Sequence, residues 1–553
     1  MNVSHHCPHW LLGLRDVVIL GGLAAGAVWG VSGLLKAPVV RAEQGRRLSQ
    51  EDMESIQQAA RSVDAAFEKE WAVDGAQPLP RADQLTIARR LSLALTGSIP
   101  SLQEVRMLES LREPDCVQWW LSHLLRDRRS ADYLAERLVR VFVGTENGPF
   151  LVYRRRRLVD WMSDAIRQNR PYDQVARALI SATGVWTTNP AVNFITVTNQ
   201  MNNKGPDEMK LAARVSRAFL GVQMDCVQCH DGKLGSTWRQ QDFHQLAAYF
   251  GQTVFSQNGL RDDPRQSYQH RYLGEAKAEA VSAKVPWRPE LLSEKGGPRD
   301  QLAKWVTAKE NRPFARTLVN RLWALLLNRP LVTPVDDIPL TGPFPPGLEA
   351  LADDVIAHDF DLHRLVRVIA ATRVFQQASR AADAAHPTTP EAEQRWAVFP
   401  VTRLRSEQVA GSVIQAASLS TIDADTHVLF RIKRDLDVAN FVKRYGDSGE
   451  DTFEDSGGTI PQRLLLMNGN MVAENTRANP LTNAGTRIGM LAKDAATAVE
   501  TVYLTILTRR PTTAESGYFT RLLAEAGGGN ARNKVMSDLC WTLMNATEFS
   551  WNH

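Results

Sequence analysis

The sequence predicts a mainly α-helical fold, and three observations carry that prediction. Apolar residues recur at spacings of three and four through most of the chain, the period of one face of a helix. Capping residues precede several of these runs. No long stretch alternates β-branched and polar residues as a half-buried strand would.

Taken in order, Ser49 with Met53 and Ile56 opens a polar helix. Leu85, Ala88, Leu91 and Leu95 form the next apolar face, and the pattern breaks at Gly97 and Pro100. It restarts with Ser101 as N-cap and Glu104 three residues on, a capping-box pairing. Leu158, Trp161, Met162 and Ile166 mark another helix, preceded by the basic run YRRRR, which reads as a solvated face. RPYDQVARALI is a loop entering a further amphipathic helix. Leu211, Val215, Ala218 and Phe219 face one way in the helix before the motif CVQCH, and Phe243, Leu246, Ala247 and Phe250 do so after it.

Residues 251–290 lose this period and read as a surface excursion. The second helical region begins with Pro313 and puts Phe314, Leu318, Leu322 and Leu325 on one face. Leu362, Leu365, Val366, Ile369 and Val374 follow in register, then a Pro/Ala/Thr loop at 381–394 and an acidic, glycine-rich loop at 446–458. Helices around 495–507 and 514–524 close the chain. The expected organisation is an N-terminal hydrophobic segment within 1–42, a helical domain over 43–255, a linker over 256–290 and a second helical domain over 291–553.

The bulk numbers exclude several classes. Apolar residues make up 44% and charged residues 23% of 553, enough to bury cores without disulfides. A formal net charge of +4 on this length argues against a nucleic-acid footprint. Five cysteines do not make a disulfide framework. Cys116 and Cys540 sit among apolar neighbours and read as packing residues.

Residues 17–35 carry no charge and are long enough to span a bilayer or to serve as an export signal, with a cleavage-type site ending at Ala42. Lys36, Arg41, Arg46 and Arg47 follow the segment, and the positive-inside rule would keep them in the cytoplasm. The motif weighs the other way.

In CVQCH, Cys226 and Cys229 have the spacing of a c-type haem attachment site, and His230 stands where the proximal iron ligand belongs. Two thiols from one turn reach the porphyrin vinyl groups, and the adjacent imidazole reaches the iron. Such haems are attached on the exported side of the membrane, which favours export. Two other readings stay open. One is a zinc site of Cys226, Cys229, His230 and His244, although no second CxxC or HxxxH completes it. The other is a redox dithiol or a purely structural turn. For a sixth iron ligand His244, His270 and Met209 are candidates, while Met224 is too near in sequence to reach round the ring. His244 reads rather more readily as a surface or cap-adjacent histidine at a helix start than as a ligand. A serine nucleophile in the 446–458 loop lacks its partners, and the loop does not follow the EF-hand order.

Seen together, these segments resemble planctomycete cytochrome-c-like proteins built from two adjoining domains of unknown function. RRLSLALTGSIPSLQEV, RPYDQVARALI, LGVQMDCVQCHDGK and QDFHQLAAYF are similar, in order, to the first domain. PFARTLVNRLWALLLNRPLV, DFDLHRLVRVIAATRVFQQASR, LRSEQVAGSVI, TIPQRLLLMNGNMV and VYLTILTRRPTTAE are similar to the second. The resemblance implies a cytochrome-like motif without an established activity. Many members read CHDH at the motif, whereas Gly232 stands in place of the second histidine here. The expectation is therefore an exported protein, periplasmic or anchored through residues 17–35, with one haem c on Cys226 and Cys229 and His230 on iron. It would serve an unidentified redox or cell-envelope partner. The alternative is a non-haem envelope scaffold with a zinc clip.

Overall fold

The computed structural model describes residues 48–553 except 112–115, 146–151, 200–204, 233–237, 257, 273–274, 381–388, 424, 447–452, 454–457 and 481–482. The hydrophobic segment 17–35 and most of the acidic loop 446–458 therefore lie outside the described residues. Helix makes up 62% and strand 4%, so the chain is mainly α. Strand is confined, among the described residues, to three two-stranded antiparallel pairs.

The helices start where side chains cap them. Ser49 accepts from the Asp52 amide at the head of Gln50–Asp74. Ser101 and Glu104 form a reciprocal capping box on Leu102–Glu109, which satisfies two amides that the helix cannot. Asp83 and Asp127 cap Gln84–Thr96 and Arg128–Val143. One helix expected to be amphipathic is buried on every side: in Arg312–Leu327, every residue from Phe314 to Leu327 is in the interior. Its Trp323 stacks on Phe67 and meets Trp396 edge-on.

The buried apolar residues form two clusters. The first runs from Ile56 to Phe399 and takes in Leu504. The second gathers residues from Leu404 to Phe549 together with Leu93 and Ile99. Gln84–Thr96 serves both, with Leu85, Leu91 and Leu95 in the first core and Leu93 in the second. The helix Ser406–Ala416 approaches this seam so closely that a Cβ on Gly411 would stand 2.6 Å from the Gly97 carbonyl oxygen.

The aperiodic stretch 251–290 is two short hairpins. Thr253–Ser256 pairs with Gly259–Asp262, and Gln269–His270 with Glu279–Ala280. The chain does not close with the helix near 514–524 but adds another, Gly529–Met544. That helix opens on glycine and asparagine and buries only Met536, Leu539, Cys540, Leu543 and Met544, so its apolar signal is thin. Cys116 and Cys540 are buried thiols, as their surroundings suggest.

Candidate functional site

The helix Glu208–Val215, capped by Asp207, buries Leu211, Ala212 and Val215 and then widens into a π-helical turn, Ser216–Leu220. It stops at Gly221, whose φ of 59° lies in the left-handed region. A side chain there would also collide, since a Cβ would stand 2.6 Å from Thr317 Oγ1. The Gly221 carbonyl accepts from the Ile338 amide at 2.7 Å. The chain is thus delivered into the motif against residues of the later helical region.

A 3-10 turn, Asp225–Gln228, follows. Met224 and Val227 are buried, while Cys226, Cys229 and His230 are exposed. Both thiols are free. Burying two apolar residues on one side of so short a turn leaves the chemically active side chains on the other. Asp336 holds the approach from behind: it accepts from Arg217 Nε at 2.8 Å and from the Gln223 side-chain amide at 2.8 Å.

The geometry settles two histidine tautomers. His230 Nδ1 lies 2.7 Å from the Asp231 carbonyl oxygen. A carbonyl only accepts, so Nδ1 carries a hydrogen, and in the neutral ring Nε2 then keeps the lone pair. His244 Nε2 lies 3.0 Å from the Gln228 carbonyl, and its Nδ1 lies 2.8 Å from the Tyr268 hydroxyl. By the same reasoning Nε2–H donates to Gln228 and Nδ1 accepts from Tyr268. The Gln240 side chain donates to the same Gln228 carbonyl at 3.2 Å.

His244 is therefore a fully buried strut under the turn, not a surface residue at a helix start. Phe243, Leu246 and Ala247 pull the helix Gln240–Ala247 into the core and carry His244 with them. Burial, with a smaller contribution from His270, lowers its pKa to about 4. His270 stacks on it with ring centroids 3.4 Å apart, and Tyr272 meets both rings edge-on. Burial lowers the His270 pKa as well. Its Nε2 is enclosed without a hydrogen-bond partner among the described residues. Met209 is half-buried and packs on the first core.

The structure thus joins His244 to the backbone of the motif and His270 to His244. Both His244 nitrogens are engaged in this arrangement. No group of three or more His, Cys, Asp or Glu among the described residues is arranged to hold a metal ion. Tyr268, Tyr272, Thr317, Asp336 and Ile338 complete the surroundings, and sequence reasoning did not find them. The segment YQHRY held a usable signal, because Tyr268, His270 and Tyr272 alternate with period two, as residues on one face of a strand do.

Arg321 donates to the Arg217 carbonyl at 3.4 Å and so braces the approach to the motif, while Arg316 and Asn320 serve the scaffold. Asn320 alone satisfies the Val332 and Val335 carbonyls and the Val332 amide.

Comparison with known proteins adds families and no activity. Residues 62–254 match the family PSCyt2, described as a protein of unknown function (DUF1549). Residues 298–435 match the family PSD1, described as a protein of unknown function (DUF1553). No curated protein and no solved structure matches the chain. The chain therefore carries two adjoining domains of unknown function, with the Cys226 and Cys229 turn inside the first.

Proposed function

We propose that Cys226 and Cys229 hold one haem through thioether bonds, that His230 Nε2 is the axial ligand, and that the protein transfers electrons in the cell envelope. One observation carries this reading: the two free thiols are exposed beside an exposed imidazole whose Nε2 is bare because Nδ1–H is tied to the Asp231 carbonyl. Metal-binding histidines are oriented by this kind of second hydrogen bond. When bound, the haem supplies a one-electron couple at iron. The chain contributes attachment at Cys226 and Cys229 and orientation at His230. Met224, Val227 and the doubly bonded Gln228 carbonyl contribute a rigid base.

The haem reading asks less convergence of the three donors than a zinc clip does. Zinc needs its ligands to converge within about 2.0–2.3 Å of one point. A c-type haem needs the thiols at the ring edge and the imidazole at its centre, so the donors need not converge. Export agrees with haem attachment and with the apolar segment 17–35. Among the described residues no helix is long and apolar enough to cross a membrane. The resemblance to planctomycete cytochrome-c-like proteins supports the same assignment.

The test is a pyridine haemochrome spectrum and haem staining on a denaturing gel, after exported expression with a cytochrome c maturation system. Haem should survive denaturation in the parent and disappear in Cys226→Ala/Cys229→Ala. A colourless parent under those conditions sinks the assignment, and metal analysis then tests the zinc scaffold.

A further inference from the structure

Exposed apolar surface is distributed unevenly over this molecule. Of thirteen large apolar side chains exposed among the described residues, twelve lie between residues 428 and 541, and only Val73 lies elsewhere. Single exposed apolar residues need no explanation, but a concentration on one part of a protein marks an interaction surface.

The densest part is the first half of the helix Val428–Tyr445. Val428, Leu429, Phe430, Ile432 and Leu436 are each between 50 and 66% exposed. On a helical projection Val428, Leu429, Ile432 and Leu436 fall within a stripe about 100° wide. The buried residues of this helix, Phe441 and Tyr445, lie on the opposite side. The stripe therefore faces outward while the helix stays anchored by its other face and its far end. The helix Ile460–Asn468 repeats the pattern, with Ile460, Leu464 and Met467 exposed at four and three residue spacings and Leu466 buried. Trp541, itself exposed, donates its indole N–H to the Met467 carbonyl at 3.3 Å.

Charge identifies the occupant. Val428–Tyr445 carries Arg431, Lys433, Arg434, Lys443 and Arg444 against Asp435 and Asp437. Both carboxylates are engaged, Asp437 by Lys433 at 2.5 Å and Asp435 by Arg434 at 2.9 Å. Arg431, Lys443 and Arg444 have no carboxylate within ion-pair distance among the described residues. Phe453, a described residue beyond this helix, packs on the first core beside Arg405. An outward aliphatic stripe flanked by cations suits a helix lying in the headgroup region of an anionic bilayer. The long cationic side chains can rise to the phosphates from beside it. We infer that Val428–Tyr445, supported by Ile460–Asn468, is a docking face for an anionic lipid surface. This contact is distinct from any insertion through residues 17–35 and does not depend on the haem.

Hydrogen–deuterium exchange on the full chain tests it, because the readout is local and separates this helix from the N-terminal segment. Vesicles of phosphatidylcholine alone and of phosphatidylcholine with phosphatidylglycerol are the probes. The amides of 428–436 and 460–467 should slow by about tenfold or more with the anionic vesicles only. Leu429→Asp/Ile432→Asp should abolish that protection with an unchanged circular dichroism spectrum and melting temperature, since both side chains are outside the core. Lys443→Glu/Arg444→Glu should weaken it. Equal exchange with and without anionic vesicles overturns the proposal. So does protection that appears without lipid as protein concentration rises, which would assign the face to a second copy of the chain.

Discussion

His244 shows how one residue can brace a turn from a neighbouring helix. It spends both ring nitrogens on Gln228 and Tyr268 and is buried between Phe243 and His270. Its pKa falls from an ordinary 6.5 to about 4. Between those two values the unfolded chain binds a proton that the folded chain refuses. Stability is therefore complete above pH 6.5 and falls as the pH drops toward about 4. The loss should be on the order of 1–3 kcal/mol. Urea titrations of the parent and of His244→Gln across this range should show the slope in the parent and a shallower one in the variant. His244→Leu should cost about 2–4 kcal/mol at neutral pH, because the Gln228 and Tyr268 groups lose a buried partner. It should also speed alkylation of Cys229, which directly follows Gln228.

At the scale of the element, the motif is placed by how its helix ends. The π-helical turn and the left-handed Gly221 redirect the chain onto Thr317 and Ile338. Gly221→Ala should destabilise by about 1–3 kcal/mol, combining an unfavourable φ with the collision at Thr317 Oγ1. Adding Thr317→Ala should restore only the part due to the collision, and denaturant midpoints of the single and double variants separate the two. The helices Ala495–Leu507 and Thr513–Ala526 were legible from their periodicity. Gly529–Met544 was not, because its stability comes from Met536, Leu539, Cys540 and Leu543 packing on distant partners rather than from a strong local pattern.

The whole molecule is tied together by two buried arginines on Gln84–Thr96. Arg89 donates to the Ile506 and Phe549 carbonyls at 3.4 and 3.1 Å. Arg90 donates to the His553, Phe375 and Gln377 carbonyls at 2.8 to 2.9 Å and lies over the Phe399 ring. These bonds join the seam helix to carbonyls that border both cores. Arg90→Met should keep the apolar stem but strand three carbonyls, costing about 3–5 kcal/mol. Exchange should rise first around residues 549–553 and 375–377. Loss spread evenly over the chain would argue against the seam as the weak point.

Local information was enough for the helical class, the capping box at Ser101 and Glu104, and the buried Cys116 and Cys540. Each depends on spacing within a few residues, where helix geometry alone decides which side chains share a face. Only the tertiary structure decided that His244 lies beneath the motif, that Thr317, Asp336 and Ile338 shape its approach, and that Arg312–Leu327 is buried all round. Those outcomes depend on segments from 16 to more than 100 residues apart meeting in one core, and the period of a single segment carries no record of its distant partner. The exposed stripe on Val428–Tyr445 belongs to the same class. Apolar spacing alone does not say which face of a helix is covered, and here the burial of Phe441 and Tyr445 leaves the stripe outside.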